Sequence, residues 1–145
     1  MKQLTTFFRR LLGFTGSSYP QSFEETKLLA EQGDAKAQSN LGVMYSFGDG
    51  DVPANDAEAF KWTRLAAEQG LATAQFNLGS MYELGDGVPQ NNTRAYEWYS
   101  VSANQGIELA EMYRDMVYEE LSPADREQAQ HPLTTADREQ AQQML

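Results

Sequence analysis

The stretch AQSNLGVMYSFGDGDVP at residues 37–53 returns as AQFNLGSMYELGDGVP at residues 74–89. The likeness extends outward to residues 34–70 and 71–106, which agree at more than half of their aligned positions when one gap is placed at Asp51. A period of 36 or 37 residues is typical of a stacked solenoid, because each unit is one supersecondary element that cannot bury its apolar face alone.

Each unit is predicted to be a helix, a glycine turn and a second helix. Apolar residues at helical spacing mark the first helix, and the same positions recur in the next unit. Gly42 and Gly79 interrupt these patterns at a cost of about 1 kcal/mol against alanine, so their recurrence indicates a close helix contact. Pro53 and Pro89 predict where the second helices begin. Gly70 and Gly106 predict where they end.

The recurring aromatic residues are predicted to pack between helices. Trp62 and Trp98 occupy one repeat position and Tyr45 and Tyr82 another, as a repeated core requires. Upstream, residues 21–33 are predicted to be the second helix of an incomplete unit. The predicted divisions of the chain are an amphipathic segment with its linker (1–20), a partial repeat helix (21–33), two repeats (34–70, 71–106), degenerate capping helices (107–132) and a polar tail (133–145).

The pattern A-x-A-Q-x-N-L-G-x-M-Y-x-x-G-D-G-V-P, followed by A-x-x-W, resembles the Sel1-like repeat family. The resemblance implies an all-α fold, a short right-handed solenoid of antiparallel helix pairs like the tetratricopeptide stack. It also implies a non-catalytic adaptor or inhibitor that binds another protein. Small acidic members of this kind include bacterial immunity proteins that neutralise a toxic effector. A cysteine-rich branch is reported to act on β-lactams, but this chain has no cysteine.

Composition excludes several classes of function. A formal charge of −10 and a pI near 4.4 argue against nucleic acid and anionic membranes as partners. The acidity either attracts a basic partner or only keeps the protein in solution. Without cysteine there is no disulfide framework and no thiol nucleophile. A cytoplasmic location is expected, with attachment to a membrane surface as the alternative.

No catalytic or metal-binding pattern is found in the sequence, so neither an enzyme nor a cofactor is predicted. The single histidine, His131, precedes a proline between polar segments. The Gly-Asp-Gly turns lack the Gly-Lys-Ser/Thr of a phosphate loop. Asp49 and Asp51 lack the spacing of a calcium loop, whose closing glutamate is replaced by Phe60, so a tight turn explains them better.

Two terminal segments stand apart from the repeats. Residues 4–12 form an amphipathic pattern, with apolar side chains on one helical face and Arg9 and Arg10 elsewhere. That segment is too short to span a bilayer. It either contacts a membrane or a partner, or it docks on the open end of the solenoid. At the other terminus, residues 121–132 return as 133–144 with 8 of 12 positions identical, and the outer copy is polar.

The candidate binding surface follows from the resemblance, which implies that first helices line the concave side. Asn40 and Asn77 fit either a bond to a bound peptide or a structural role in the repeat. Val43 and Phe76 are the predicted apolar anchors. Because Phe76 aligns with Ser39, no framework role is expected for its ring. The predicted partner-binding residues are Lys36, Ser39, Asn40, Val43, Thr73, Phe76, Asn77, Ser80 and Glu83.

Overall fold

A computed structural model describes residues 22–130 as seven α-helices, of which the first six pack one against the next in order and the seventh packs against the fifth. The predicted all-α solenoid is confirmed, and the described residues contain no strand beyond one isolated bridge between Asp49 and Val52. Predictions for residues 1–21 and 131–145 lie outside this described range. The helices are α1 (Phe23–Glu31), α2 (Ala35–Phe47), α3 (Asp56–Glu68), α4 (Ala72–Leu84), α5 (Asn92–Asn104), α6 (Glu108–Glu120) and α7 (Pro123–Gln130).

The second helix of each unit ends at a glycine in the left-handed region. Gly33, Gly70 and Gly106 have φ values of 94°, 95° and 94°. At the end of α3, the Gly70 amide donates to the Ala67 carbonyl at 3.0 Å, and the next amide donates to Ala66 at 3.3 Å. This is the Schellman arrangement, which satisfies carbonyls that the helix leaves free. The ends predicted from the sequence are therefore correct.

The starts of α3 and α5 differ from the prediction. Neither helix begins at its proline, because Asn55 and Asn91 are the N-caps and the helices begin one residue later. The Asn55 side chain accepts from the Glu58 amide at 3.1 Å, and Asn91 accepts from Arg94 at 3.0 Å. An asparagine cap of this kind stabilises a helix by about 1 kcal/mol. The prolines instead lie in the preceding turn.

The glycines inside α2 and α4 mark close approaches to the following second helix. A β-carbon added at Gly79 would lie 2.7 Å from Cδ1 of Tyr99. One added at Gly42 would clash with the Thr63 hydroxyl and lie 3.2 Å from the Thr63 backbone nitrogen. The close contact predicted from the sequence is therefore present in both repeats.

Successive units are joined by a repeated aromatic pair. Each pair connects the start of one unit's second helix (α1, α3 or α5) with the end of the next unit's first helix (α2, α4 or α6). The pairs are Phe23–Tyr45, Phe60–Tyr82 and Tyr96–Tyr118, with ring centroids 5.6, 5.6 and 5.5 Å apart. These contacts lie at one edge of the stack, which places the start of α1 and the end of α6 at that same edge.

A repeated glutamine pair joins the units at their other edge. Gln75 donates to the Ala67 carbonyl at 3.2 Å, and Gln105 donates to Gly70 at 3.0 Å and to Oε1 of Gln75 at 2.6 Å. Gln38 and Gln69 repeat this pairing one unit earlier, at 2.7 Å. The pair Gln38–Gln69 thus connects the ends of α1 and α3 through α2. The pair Gln75–Gln105 connects the ends of α3 and α5 through α4.

Candidate protein-interaction surface

The residues predicted to bind a partner lie on the first helices α2 and α4, and α6 is the first helix that follows them. At about 3.6 residues per turn, residues 36, 43 and 47 of α2 share one side of that helix. The aligned residues 73, 80 and 84 share it on α4, and residues 109, 116 and 120 share it on α6. This side of the three helices, with residues 76 and 112 at its border, is called the first-helix face below.

The structure exposes the predicted binding residues to different degrees. Lys36 and Thr73 are exposed, whereas Ser39 is buried, with a relative exposure of 8%. Ser39 therefore offers a partner little surface, because its small side chain lies beneath its neighbours. The remaining predicted residues are half-buried, namely Asn40, Val43, Phe76, Asn77, Ser80 and Glu83.

Phe76 has a framework role that the sequence did not predict. Its ring packs against Tyr99 of α5 and Tyr113 of α6, with both centroid distances at 5.5 Å. Tyr99 and Tyr113 also touch each other, at 5.7 Å. The expectation that no packing requires an aromatic ring at this position is wrong, since alignment with Ser39 says nothing about the neighbours in the next unit. A contact between Phe76 and a partner stays a prediction.

Glu83 is likewise bound to the framework. The Tyr99 hydroxyl donates to Oε2 of Glu83 at 2.6 Å. Burial of the Tyr99 ring raises the pKa of its hydroxyl well above 10, and the hydrogen bond to Glu83 raises that pKa further. At neutral pH the bond therefore fixes the Glu83 carboxylate at the margin of the first-helix face.

The sequence reasoning missed an apolar stripe on α6. Leu109, Met112 and Met116 follow one another at helical spacing and are 47%, 51% and 57% exposed. Met112 aligns with Phe76, whose ring contacts the next first helix. No described helix follows α6 in that position, so its side chains stay open. The 36-residue alignment weakens past Gly106, where Arg114 and Asp115 replace the Leu-Gly of the repeat, so the sequence did not reveal the stripe.

Exposed apolar side chains continue the surface onto the earlier helices. Phe47 ends α2 and Leu84 ends α4 at aligned positions, and both are exposed. Singly exposed apolar residues are normal on proteins, but a set repeated along one side of a stack is typical of a contact surface. These residues, with Val43 and Phe76, give the first-helix face its apolar character.

The electrostatics of the described chain favour basic ligands. Residues 22–130 contain 7 Lys and Arg against 19 Asp and Glu, a net formal charge of −12. Most ion pairs in this range join neighbours on one helix, such as Lys61 with Glu58 at 3.8 Å. Exposed pairs of this kind add little stability. The excess of carboxylates lets the surface attract cationic partners over distance.

Other features of the described residues include a polar cleft and a hydrogen-bonded turn. One cleft of about 620 Å³ lies between the start of α5 and the α6–α7 turn and is lined by polar side chains such as Asn92 and Glu120. Asp49 and Val52 close the first glycine turn through two backbone hydrogen bonds, of 3.1 and 2.9 Å. Residues 22–130 include neither a cluster of three potential metal ligands nor a helix long and apolar enough to cross a bilayer.

Comparisons with known proteins agree with this architecture. A protective antigen of uropathogenic Escherichia coli strains, described as having an SLR fold, superposes with a TM-score of 0.72 and 32% identity over 75% of this chain. A Sel1 repeat protein from Oxalobacter formigenes superposes with a TM-score of 0.58 and 36% identity over 61% of this chain. The chain spans 23% and 25% of those two proteins. No curated protein matches it. The Sel1 repeat matches residues 35–71 and 72–107, half of the chain, and the protein therefore belongs to the Sel1 repeat family.

Proposed function

We propose that this protein is a non-catalytic interaction module that binds a partner protein on the first-helix face. The observation that carries the proposal is the set of exposed apolar side chains on that face, from Phe47 and Leu84 to Met112 and Met116. Membership of the Sel1 repeat family supports a role in protein–protein interaction.

The chemistry of the face suggests the kind of partner. Exposed apolar side chains favour a partner with an apolar strip, since binding energy concentrates in a few well-buried contacts. The acidic body favours basic residues around that strip, which speed encounter at low salt. Affinity for the partner is therefore expected to fall as the salt concentration is raised.

Affinity capture with matched variants tests the proposal. The full chain serves as bait in an extract of its native host, and captured proteins are then titrated against purified variants. Leu84→Ser removes an apolar side chain from the first-helix face, whereas Leu28→Ser removes one from α1. We expect Leu84→Ser to weaken binding about tenfold, or about 1.4 kcal/mol, and Leu28→Ser to leave affinity unchanged. Equal affinity for both variants and the wild type would place the site elsewhere.

The same experiment separates an adaptor from an inhibitor. If the captured partner is a toxic effector, its activity is assayed with and without this protein. Loss of activity at equimolar amounts supports an immunity protein. Full activity in the complex supports an adaptor.

A further inference from the structure

The exposed stripe on α6 has an acidic margin. Glu108, Asp115 and Glu119 lie along one flank of Leu109, Met112 and Met116, by the geometry of a helix with about 3.6 residues per turn. Within this margin Asp115 pairs with Arg114 at 2.7 Å and Glu119 with Arg126 at 3.4 Å. Methionine side chains are flexible and polarizable, so they adapt to varied apolar partners. The stripe therefore suits an amphipathic segment that has apolar residues on one side and basic residues beside them.

The chain itself contains a segment of this chemistry. Residues 1–21 hold three basic residues, Lys2, Arg9 and Arg10, and no acidic one, whereas residues 22–130 have a net charge of −12. The apolar residues of this segment recur at helical spacing. They are Leu4, Phe7, Phe8, Leu11 and Leu12.

We propose that residues 2–12 bind the apolar stripe of Leu109, Met112 and Met116 on α6 of the same chain. The segment would then cover the α6 part of the first-helix face and compete there with a partner protein. This inference concerns the surface of the proposed function but does not depend on the identity of that partner.

The proposal requires the end of α6 to lie within reach of the connecting residues. Residues 13–22 span at most about 33–36 Å when extended. Phe23 contacts Tyr45 at the edge of the stack where Tyr96 contacts Tyr118 at the end of α6. Neighbouring helices lie about 8–10 Å apart. The direct line from the start of α1 to the end of α6 is shorter than the sum of the distances from each helix to the next.

Alternative positions and occupants fit less well. On α1, the exposed side chains are mostly charged, and Leu28 is the large apolar one among them. Residues 131–145 carry one basic residue against two acidic ones, so they lack the charge that complements the stripe. A segment tethered by a short linker acts at an effective concentration of about millimolar, which favours contact within one chain over contact with a second copy.

Photo-cross-linking in the full chain tests the proposal directly. A benzophenone-bearing phenylalanine replaces Met116 in one variant and Leu28 in a control variant, and products are mapped by mass spectrometry. We expect the probe at position 116 to link to residues 2–12 at monomer mass, and the control probe not to do so. Links to residues 133–145, links at dimer mass, or no link to residues 2–12 would overturn the proposal.

Limited trypsin cleavage gives a second reading without a bulky probe. Cleavage after Arg9 and Arg10 tracks the population in which the segment is released, when release and return are fast. Met112→Glu combined with Met116→Glu should speed that cleavage about tenfold, whereas Leu28→Glu should not change it. Equal rates in all three proteins would overturn the contact. Neither assay includes the partner, so failure here leaves the proposed function standing.

Discussion

Gly42 and Gly79 show how single residues set the spacing of the stack. Each lies in a first helix where the following second helix approaches too closely for a side chain, at Thr63 and Tyr99 respectively. Glycine weakens an isolated helix, so its presence at both positions is explained by this packing. The sequence alone predicted the contact, because a helix-breaking residue recurred at the same repeat position.

Replacing Gly79 with leucine should destabilise the protein by at least about 1–3 kcal/mol, the usual cost of overpacking. A β-carbon there would already lie 2.7 Å from the Tyr99 ring. Thr73→Leu on the exposed side of the same helix is the control, and a change within about 0.5 kcal/mol is expected. Urea denaturation measures both. A Gly79→Leu variant as stable as the control would contradict the helix contact.

Stability should decline in alkaline solution because of Tyr99. Burial, and then the hydrogen bond to Glu83, hold the pKa of the folded hydroxyl above its unfolded value. The unfolded tyrosine ionises near about pH 10, so this contribution is complete below that pH and is lost as pH rises further. Urea midpoints measured as the pH rises above about 10 should fall less steeply for Tyr99→Phe than for the wild type. Identical slopes would contradict this assignment.

The burial of a side chain at a variable repeat position is not predictable from the sequence alone. Ser39, Phe76 and Met112 occupy one repeat position, yet they are buried, half-buried and exposed in turn. The difference arises from the first helix of the following unit, which packs beside this position in some units and not in others. An alignment of one unit with another does not describe that neighbour. Recurrence identifies the framework, whereas the neighbours of a variable position decide its environment.

Among the helices, the repeated glutamine pairs connect one unit to the next. Gln75 lies buried in α4 and bonds to the end of α3 and to Gln105 beyond α5. The sequence showed that both glutamines recur but gave no sign of their partners, since the bonds cross between units. The sequence did not identify Asn55 and Asn91 as N-caps, because the nearby prolines were equally good signals for a helix start.

Gln75→Leu should cost about 1–3 kcal/mol, since it leaves buried polar groups of its neighbours without a partner. Gln90 also donates to a carbonyl, that of Glu83 at 2.9 Å, but at an exposed site. Gln90→Leu is therefore the control, with an expected change within about 0.5 kcal/mol. If chemical denaturation gives equal midpoints for the two variants, the glutamine pair does not join the units.

Truncation tests whether α6 closes the stack. Ala110 and Val117 of α6 are fully buried, and Val117 packs with Tyr99 and Ala95 of α5. A chain ending at Gly106 should therefore lose its cooperative fold, since α5 would expose this apolar side. A chain ending at Pro132 should keep its helicity, because the polar tail adds little to the core. Circular dichroism decides, and equal loss in both truncated chains would contradict the account.

For the whole molecule, the repeat architecture was predictable from the sequence, whereas the binding surface stays a proposal. Residues 34–106 carry the period that fixes helix number, order and direction. The first-helix face was identified through the family resemblance, but its apolar extension on α6 was missed because the repeat consensus fades after Gly106. The recurring residues do not identify a partner, because residues recur where the packing of the repeat requires them.

Hydrogen–deuterium exchange of the protein with its captured partner tests the central claim most directly. Peptides from α2, α4 and α6 are compared with peptides from α1, α3 and α5, free and bound. Binding on the first-helix face predicts added protection in α2, α4 and α6, with little change in the other three. Protection concentrated in α1, α3 and α5 would contradict the account.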